Sequence, residues 1–204
     1  MDEKPSLWIF SGANGSGKST LISKIGLDQT DALINPDIIA VNISPEDKNN
    51  PNIVIQAGNK ALSLRKDKLA NKQSFAIETT LSGHSTLKLI KEAKECGYHI
   101  HLVFIGLENH QLSNARVATR VKCNGHDVPE NAIIRRYPQT FQNLLKASLM
   151  IERLYVFDNS TDKHILLLHM NGSELKYFRD DKPRWAKSLL PELISMRIQN
   201  INNT

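Results

Sequence analysis

Residues 7–20 read LWIFSGANGSGKST. The apolar run Leu7-Trp8-Ile9-Phe10 has the length of a short strand and ends in a glycine-rich turn. The segment Gly12-Ala13-Asn14-Gly15-Ser16-Gly17-Lys18-Ser19-Thr20 fits GxxxxGK[ST], the P-loop pattern. Such a loop wraps a phosphate with successive backbone N–H groups, and its glycines permit both the dihedrals and the close approach. Lys18 is expected to reach the β- and γ-phosphates, and the Ser19 hydroxyl to ligate Mg²⁺. A strand before the loop and a helical pattern after it, Thr20 to Ile25, supply the context that the motif requires.

Outward from the loop, short apolar runs alternate with helical patterns. Strands are expected at Ala32–Asn35, Ser74–Glu78, Tyr98–Leu107 and Leu154–Phe157. Helices are expected at 52–71, His84–Cys96, 109–123 and 130–149, the last kinked or interrupted by Pro138. This alternation predicts βαβ units and a parallel sheet covered on both faces. After residue 160 the pattern changes. His164–Met170 and Glu174–Phe178 flank Asn171-Gly172, a hairpin signal, and a helix is expected over about 183–198. The fold class is therefore α/β: a kinase-like P-loop NTPase three-layer sandwich with a central, mainly parallel sheet, plus a C-terminal β-hairpin and helix. One domain is expected over 1–204, with its core at about 6–160 and the appendage at about 161–198.

Composition narrows the function. The 204 residues are 40% hydrophobic and 23% charged, which is globular and not disordered. Cys96 and Cys123 form no CxxC pair, so a zinc ribbon, an iron–sulfur site and a disulfide framework are not expected. No apolar run approaches the ~20 residues that span a bilayer, and the acidic N-terminus lacks a signal-peptide pattern. A cytoplasmic protein is expected. Net charge is +5. Between Gln111 and Lys146 lie Arg116, Arg120, Lys122, Arg135, Arg136 and Lys146 against only Asp127 and Glu130. Such a band suits an anionic ligand, or else is a solvated helix face.

A P-loop supplies a nucleotide; the polar residues at the C-terminal strand ends decide the chemistry. These are Asn35 and Asp37 after the second strand, Glu78 after the third and Asp158 after the last. Leu81-Ser82-Gly83 stops short of the ABC signature, because His84 and Ser85 follow. Leu154–Asp158 could be a Walker B strand, but Asn159 and Ser160 follow where a motor ATPase has a glutamate to activate water.

These residues resemble the zeta-toxin-like kinases, specifically the chromosomal branch often labelled a predicted ABC-type ATPase. The similarity runs from about Leu7 to Ser160. It is carried by the GANGSGKST loop, Asn35-Pro36-Asp37 and Glu78-Thr79-Thr80-Leu81-Ser82-Gly83, then by Arg116-Val117-Ala118-Thr119-Arg120-Val121, Asn124-Gly125-His126-Asp127-Val128-Pro129 and Ile134-Arg135-Arg136-Tyr137. Asn124 departs from the glycine common in that branch, and the basic segment differs from that of the plasmid toxins. The resemblance implies a phosphotransferase using ATP or GTP. Plasmid-type relatives phosphorylate a sugar hydroxyl of UDP-N-acetylglucosamine and are neutralised by a small antitoxin. It further implies Asp37 as base, Glu78 as substrate holder, and Arg116 and Arg120 as phosphate contacts.

Alternatives stand beside each role. Asp37 could cap a helix starting at Ile38, and Glu78 could be a satisfied strand-end carboxylate. Thr79 and Thr80 could bind substrate or continue the strand. Arg116 and Arg120, four apart, share one helix face. Arg135 and Arg136 cannot both face one side, so at most one is expected in the site; Arg136 is carried as a substrate candidate, with the choice between the two left open. His126 could belong to a lid or be a plain loop residue. A regulatory ATPase or nucleic-acid-associated switch is the alternative function. The absence of aromatic–basic interleaving and of a helix-turn-helix signal argues against nucleic acid.

Overall fold

The computed structural model describes residues 4–30, 32–123, 125, 128–161 and 163–202. In chain order the elements are β1 (Ser6–Ser11), α1 (Lys18–Lys24), a 3₁₀ turn (Leu27–Gln29), β2 (Leu33–Ile34), α2 (Pro36–Ile43), α3 (Pro51–Ala70), β3 (Phe75–Thr79) and α4 (His84–Glu95). There follow β4 (His99–Gly106), α5 (His110–Lys122), α6 (Glu130–Ser148), β5 (Arg153–Asp158), β6 (Ile165–Asn171), β7 (Glu174–Phe178) and α7 (Arg184–Asn202).

The seven strands form one sheet in the order β2-β3-β1-β4-β5-β6-β7. Pairing is parallel from β2 to β5 and antiparallel at β5–β6 and β6–β7. The C-terminal ends of β1, β2 and β3 therefore lie side by side, and their loops converge. On one face Leu7, Ile9, Ile77, Leu102 and Val156 pack against Ala61 of α3, Ile90 of α4, Leu144 of α6 and Leu190 of α7. The other face is more thinly covered. Phe10, Ala76 and Val103 meet Ile22 and Leu21 of α1 and Leu27 of the 3₁₀ turn.

Three local features differ from the sequence reading. Of the two outcomes expected at Pro138, interruption does not occur: helix α6 continues through it. A proline leaves one carbonyl a turn earlier without its helical partner, here at exposed Ile134, where water can serve it. The hairpin turn falls on Gly172-Ser173, because Asn171 pairs with Glu174 and Gly172 takes the left-handed φ of 56°. Helix α2 begins at Pro36, two residues earlier than Ile38, with Asn35 as its N-cap.

Candidate active site

Strand β1 delivers Gly12 beneath a neighbouring strand. Its φ is 141°, and a Cβ there would lie 2.2 Å from the Ile105 carbonyl oxygen of β4. Gly17, at φ 90°, is as confined: a Cβ would sit 2.4 Å from Asn159 Nδ2. Both positions exclude side chains, so the loop keeps the close backbone geometry that phosphate binding needs. Two glycines of the motif are thus explained by what touches them.

Lys18 opens α1 and is buried. Its Nζ donates to the Gly12 and Ala13 carbonyl oxygens, both at 3.0 Å. Burial pushes its pKa below the usual lysine value, Glu78 and Asp37 pull it back up, and Arg120 adds to the lowering. The amine thus lies folded over the loop, on weak acceptors that a phosphate can replace. Ser16 is fully buried, and its Oγ has no hydrogen-bond partner.

The loop opens into a cleft of about 440 Å³. One wall is the loop and α1, with Asn14, Gly15, Gly17, Lys18, Ser19 and Thr20. The facing wall carries Asn35, Pro36, Asp37, Glu78, Thr79 and Thr80, and Arg116 and Arg120 of α5 close a third side. Gly12, Ala13 and Ser16 belong to the loop but not to the cleft lining. Arg136 does not reach the cleft, and His126 lies outside the described residues.

Each carboxylate has a defined position. Glu78, near the end of β3, accepts from Ser19 Oγ at 2.9 and 3.1 Å and from Asn35 Nδ2 at 2.9 Å. Asp37 is exposed at the second position of α2; its backbone N–H donates to Asn35 Oδ1 at 2.9 Å. The capping role weighed for Asp37 therefore belongs to Asn35, and the Asp37 carboxylate stands at the cleft mouth. Asp158 is withdrawn: it accepts from Ser160 Oγ at 2.6 Å and from Trp185 Nε1 at 2.8 Å, and does not line the cleft. Thr79 Oγ1 lies 3.1 Å from Thr86 Oγ1, and Thr80 Oγ1 lies 2.8 Å from Ser82 Oγ.

Arg116 is committed to the chain itself. Its Nη1 donates to the Asn159 carbonyl at 2.6 Å and its Nη2 to the Thr161 carbonyl at 2.8 Å. It fastens α5 to the loop after β5, at the rim of the phosphate loop. Arg120 lines the cleft one turn further on.

Several supporting residues escape sequence reasoning. Asn159 Nδ2 donates to the Ser16 carbonyl at 2.9 Å, and His164 Nε2 lies 3.1 Å from the Gly17 carbonyl oxygen. Ser113 Oγ donates to the Asn14 carbonyl at 2.5 Å. From α6, Thr140 Oγ1 donates to the Thr80 carbonyl and Asn143 Nδ2 to the Leu81 carbonyl, both at 2.9 Å. These bonds hold Leu81 at φ 57°, a costly conformation for leucine. That kink follows directly on Glu78-Thr79-Thr80, so α6 fixes the segment carrying the glutamate.

The model of the family described as Zeta toxin matches residues 1–169. The chain belongs to the zeta toxin family. An uncharacterized protein of Haemophilus influenzae is 38% identical over 139 residues, 64% of this chain and 96% of that protein. Among solved structures, AvrRxo1-ORF1:-ORF2 with ATP has a TM-score of 0.69 at 15% identity, covering 99% of this chain and 77% of that chain. A structure from the PezAT chromosomal toxin–antitoxin system of Streptococcus pneumoniae has a TM-score of 0.59 at 16% identity, covering 100% of this chain and 89% of that chain. At these identities the two structures show a shared fold. Zeta toxin membership and this fold make the chain a P-loop kinase.

Proposed function

We propose that this zeta toxin transfers the γ-phosphoryl group of ATP to a hydroxyl of a small acceptor, with a nucleotide-sugar such as UDP-N-acetylglucosamine as the leading choice. The observation that carries the proposal is the division of labour between two carboxylates. Glu78 is engaged with Ser19 and Asn35, whereas Asp37, on the same wall, stands exposed with no capping duty. In the proposed step the acceptor oxygen bonds to the γ-phosphorus, the bond to ADP breaks, and the hydroxyl proton passes to Asp37. Lys18 and Arg120 neutralise charge as it develops.

Mg²⁺, were it held at Ser19, would screen the phosphate charge as the phosphoryl group moves. Among the described residues no three His, Cys, Asp or Glu side chains converge on a metal site. That suits an ion held mainly by phosphates and water, with the Ser19 hydroxyl as protein ligand and Glu78 beside it. An ATP-containing neighbour of the same fold supports ATP over GTP. That neighbour is a complex with a second protein, and PezAT is a toxin–antitoxin system; both support a role as the toxin of such a pair.

Asp37→Asn tests the assignment. Transfer from labelled ATP should fall about 10²–10⁴-fold, the usual worth of a general base. Affinity for Mg²⁺–ATP and the melting temperature should hold, because the phosphates rest on the loop and Asn35 caps the helix. Full activity in the variant would remove Asp37 from the chemistry. Weakened Mg²⁺–ATP binding would make it a metal-holding residue instead.

A further inference from the structure

Asp158 ends the strand that the sequence reads as a possible Walker B segment, yet it does not line the cleft. It is buried, and its carboxylate accepts from three neutral donors. Trp185 Nε1 and Ser160 Oγ donate to Oδ1 at 2.8 and 2.6 Å, and the Ser160 backbone N–H donates to Oδ2 at 3.2 Å. A buried carboxylate that loses a donor is costly, so these bonds hold the turn after β5 firmly. The same indole lies against Gly106, the β4 residue paired with Asp158: a Cβ on Gly106 would come within 2.3 Å of it. One tryptophan of α7 therefore closes over the ends of two strands.

The turn leads from Asp158 to the back of the phosphate loop. The Asn159 backbone N–H donates to the Gly106 carbonyl at 3.1 Å, and Arg116 Nη1 donates to the Asn159 carbonyl at 2.6 Å. With the main chain held on both sides, the buried Asn159 side chain reaches the Ser16 carbonyl through Nδ2 at 2.9 Å. His164 Nε2 stands 3.1 Å from the next carbonyl, that of Gly17. Neither Asn159 nor His164 lines the cleft, whereas Gly17 and Lys18 do. The two side chains therefore meet these carbonyls from behind the loop. In a planar trans peptide the C=O and the following N–H point opposite ways. Drawing the Ser16 and Gly17 carbonyls back aims the Gly17 and Lys18 N–H groups forward, where a phosphate rests.

We infer that Trp185 and Asn159 are positioning residues for the nucleotide phosphates, joined through Asp158. The indole N–H fixes the Asp158 carboxylate, Asp158 fixes the turn, and the Asn159 amide sets the peptide between Ser16 and Gly17. Helix α7 is thereby part of the nucleotide site, although Trp185 lies beyond the family-matched residues 1–169 and does not line the cleft. Asp158, which stands where a metal-binding strand end would carry its carboxylate, serves as an anchor. The relay serves nucleotide binding and is independent of which hydroxyl accepts the phosphoryl group.

The test measures the affinity of the full chain for Mg²⁺–ADP by titration calorimetry. Trp185→Phe keeps an aromatic ring against Gly106 and deletes the indole donor; affinity should fall about three- to tenfold. Asn159→Leu, or Asn159→Ser should the leucine variant not fold, should weaken binding about ten- to a hundredfold. Both changes act on one peptide, so the double variant should bind within about twofold of the Asn159 variant alone. Ile194→Ala, further along α7, removes packing against the main core. It should lower the denaturant midpoint and leave the affinity unchanged. Wild-type affinity in Trp185→Phe, losses that multiply in the double variant, or a loss in Ile194→Ala equal to that in Trp185→Phe would overturn the assignment.

Discussion

Glu78 is where three segments of the cleft meet: it takes hydrogen bonds from Ser19 at the head of α1 and from Asn35 at the head of α2, and it is itself the penultimate residue of β3. Asn35 therefore has two jobs, capping α2 with its oxygen and bonding Glu78 with its nitrogen. Asn35→Ala should cost about 1 kcal/mol of stability, the usual worth of an N-cap. It should also raise the KM for the acceptor or lower transfer, because Glu78 loses a restraint; a fall in melting temperature with unchanged kinetics would limit Asn35 to capping. Glu78 and Asp37 were legible from sequence because each stands at or just past the C-terminal end of a recognisable strand. The double role of Asn35 was not, since it depends on α2 beginning at Pro36. Asn159 and His164 were illegible for a different reason: they touch the loop from 143 and 147 residues away, and no local pattern encodes such contacts.

At the level of elements, periodicity located most of the strands and helices, and the hairpin signal was sound although its turn sits one residue later. What periodicity could not reveal is how α7 is held. Arg197 is buried, and its guanidinium donates to the carbonyls of Ser148, Ile151, Glu152 and Gly172. One side chain thus ties α7 to the end of α6, to the lead-in of β5 and to the β6–β7 turn. In sequence it looks like any arginine on a polar helix end. Arg197→Ala leaves these buried carbonyls unpaired and should destabilise the fold by about 2–4 kcal/mol, read as a fall in the denaturant midpoint. A change within about 0.5 kcal/mol would mean that water replaces the bonds at little cost. Gly106 makes a second tie, since a Cβ there would enter the Trp185 indole at 2.3 Å. Gly106→Ala should displace α7, visible as a shift in tryptophan fluorescence.

The whole molecule is a sheet with two unequal faces, one carrying the main core and the other an aromatic row. Among the described residues no helix is long and apolar enough to cross a membrane. The buried His101 on the aromatic side links stability to pH. With its folded pKa near 4, both states are neutral well above the ordinary histidine pKa of about 6.5. As pH falls below that value the unfolded chain takes up a proton that the folded chain refuses. Stability should drop from about pH 6.5 toward 4, by up to about 1.4 kcal/mol per pH unit for this one site, and His101→Asn should flatten that part of the curve.

The cleft proposed for this zeta toxin transfers a phosphoryl group to an organic hydroxyl, beyond hydrolysing or sensing a nucleotide. The most direct measurement follows the label of γ-labelled ATP in the presence of Mg²⁺ and UDP-N-acetylglucosamine, separating free phosphate from a new phosphate ester by chromatography and mass spectrometry. An ester should accumulate in step with ADP and be absent with Lys18→Ala. Label recovered only as inorganic phosphate, or an ester formed equally well by Lys18→Ala, would contradict it.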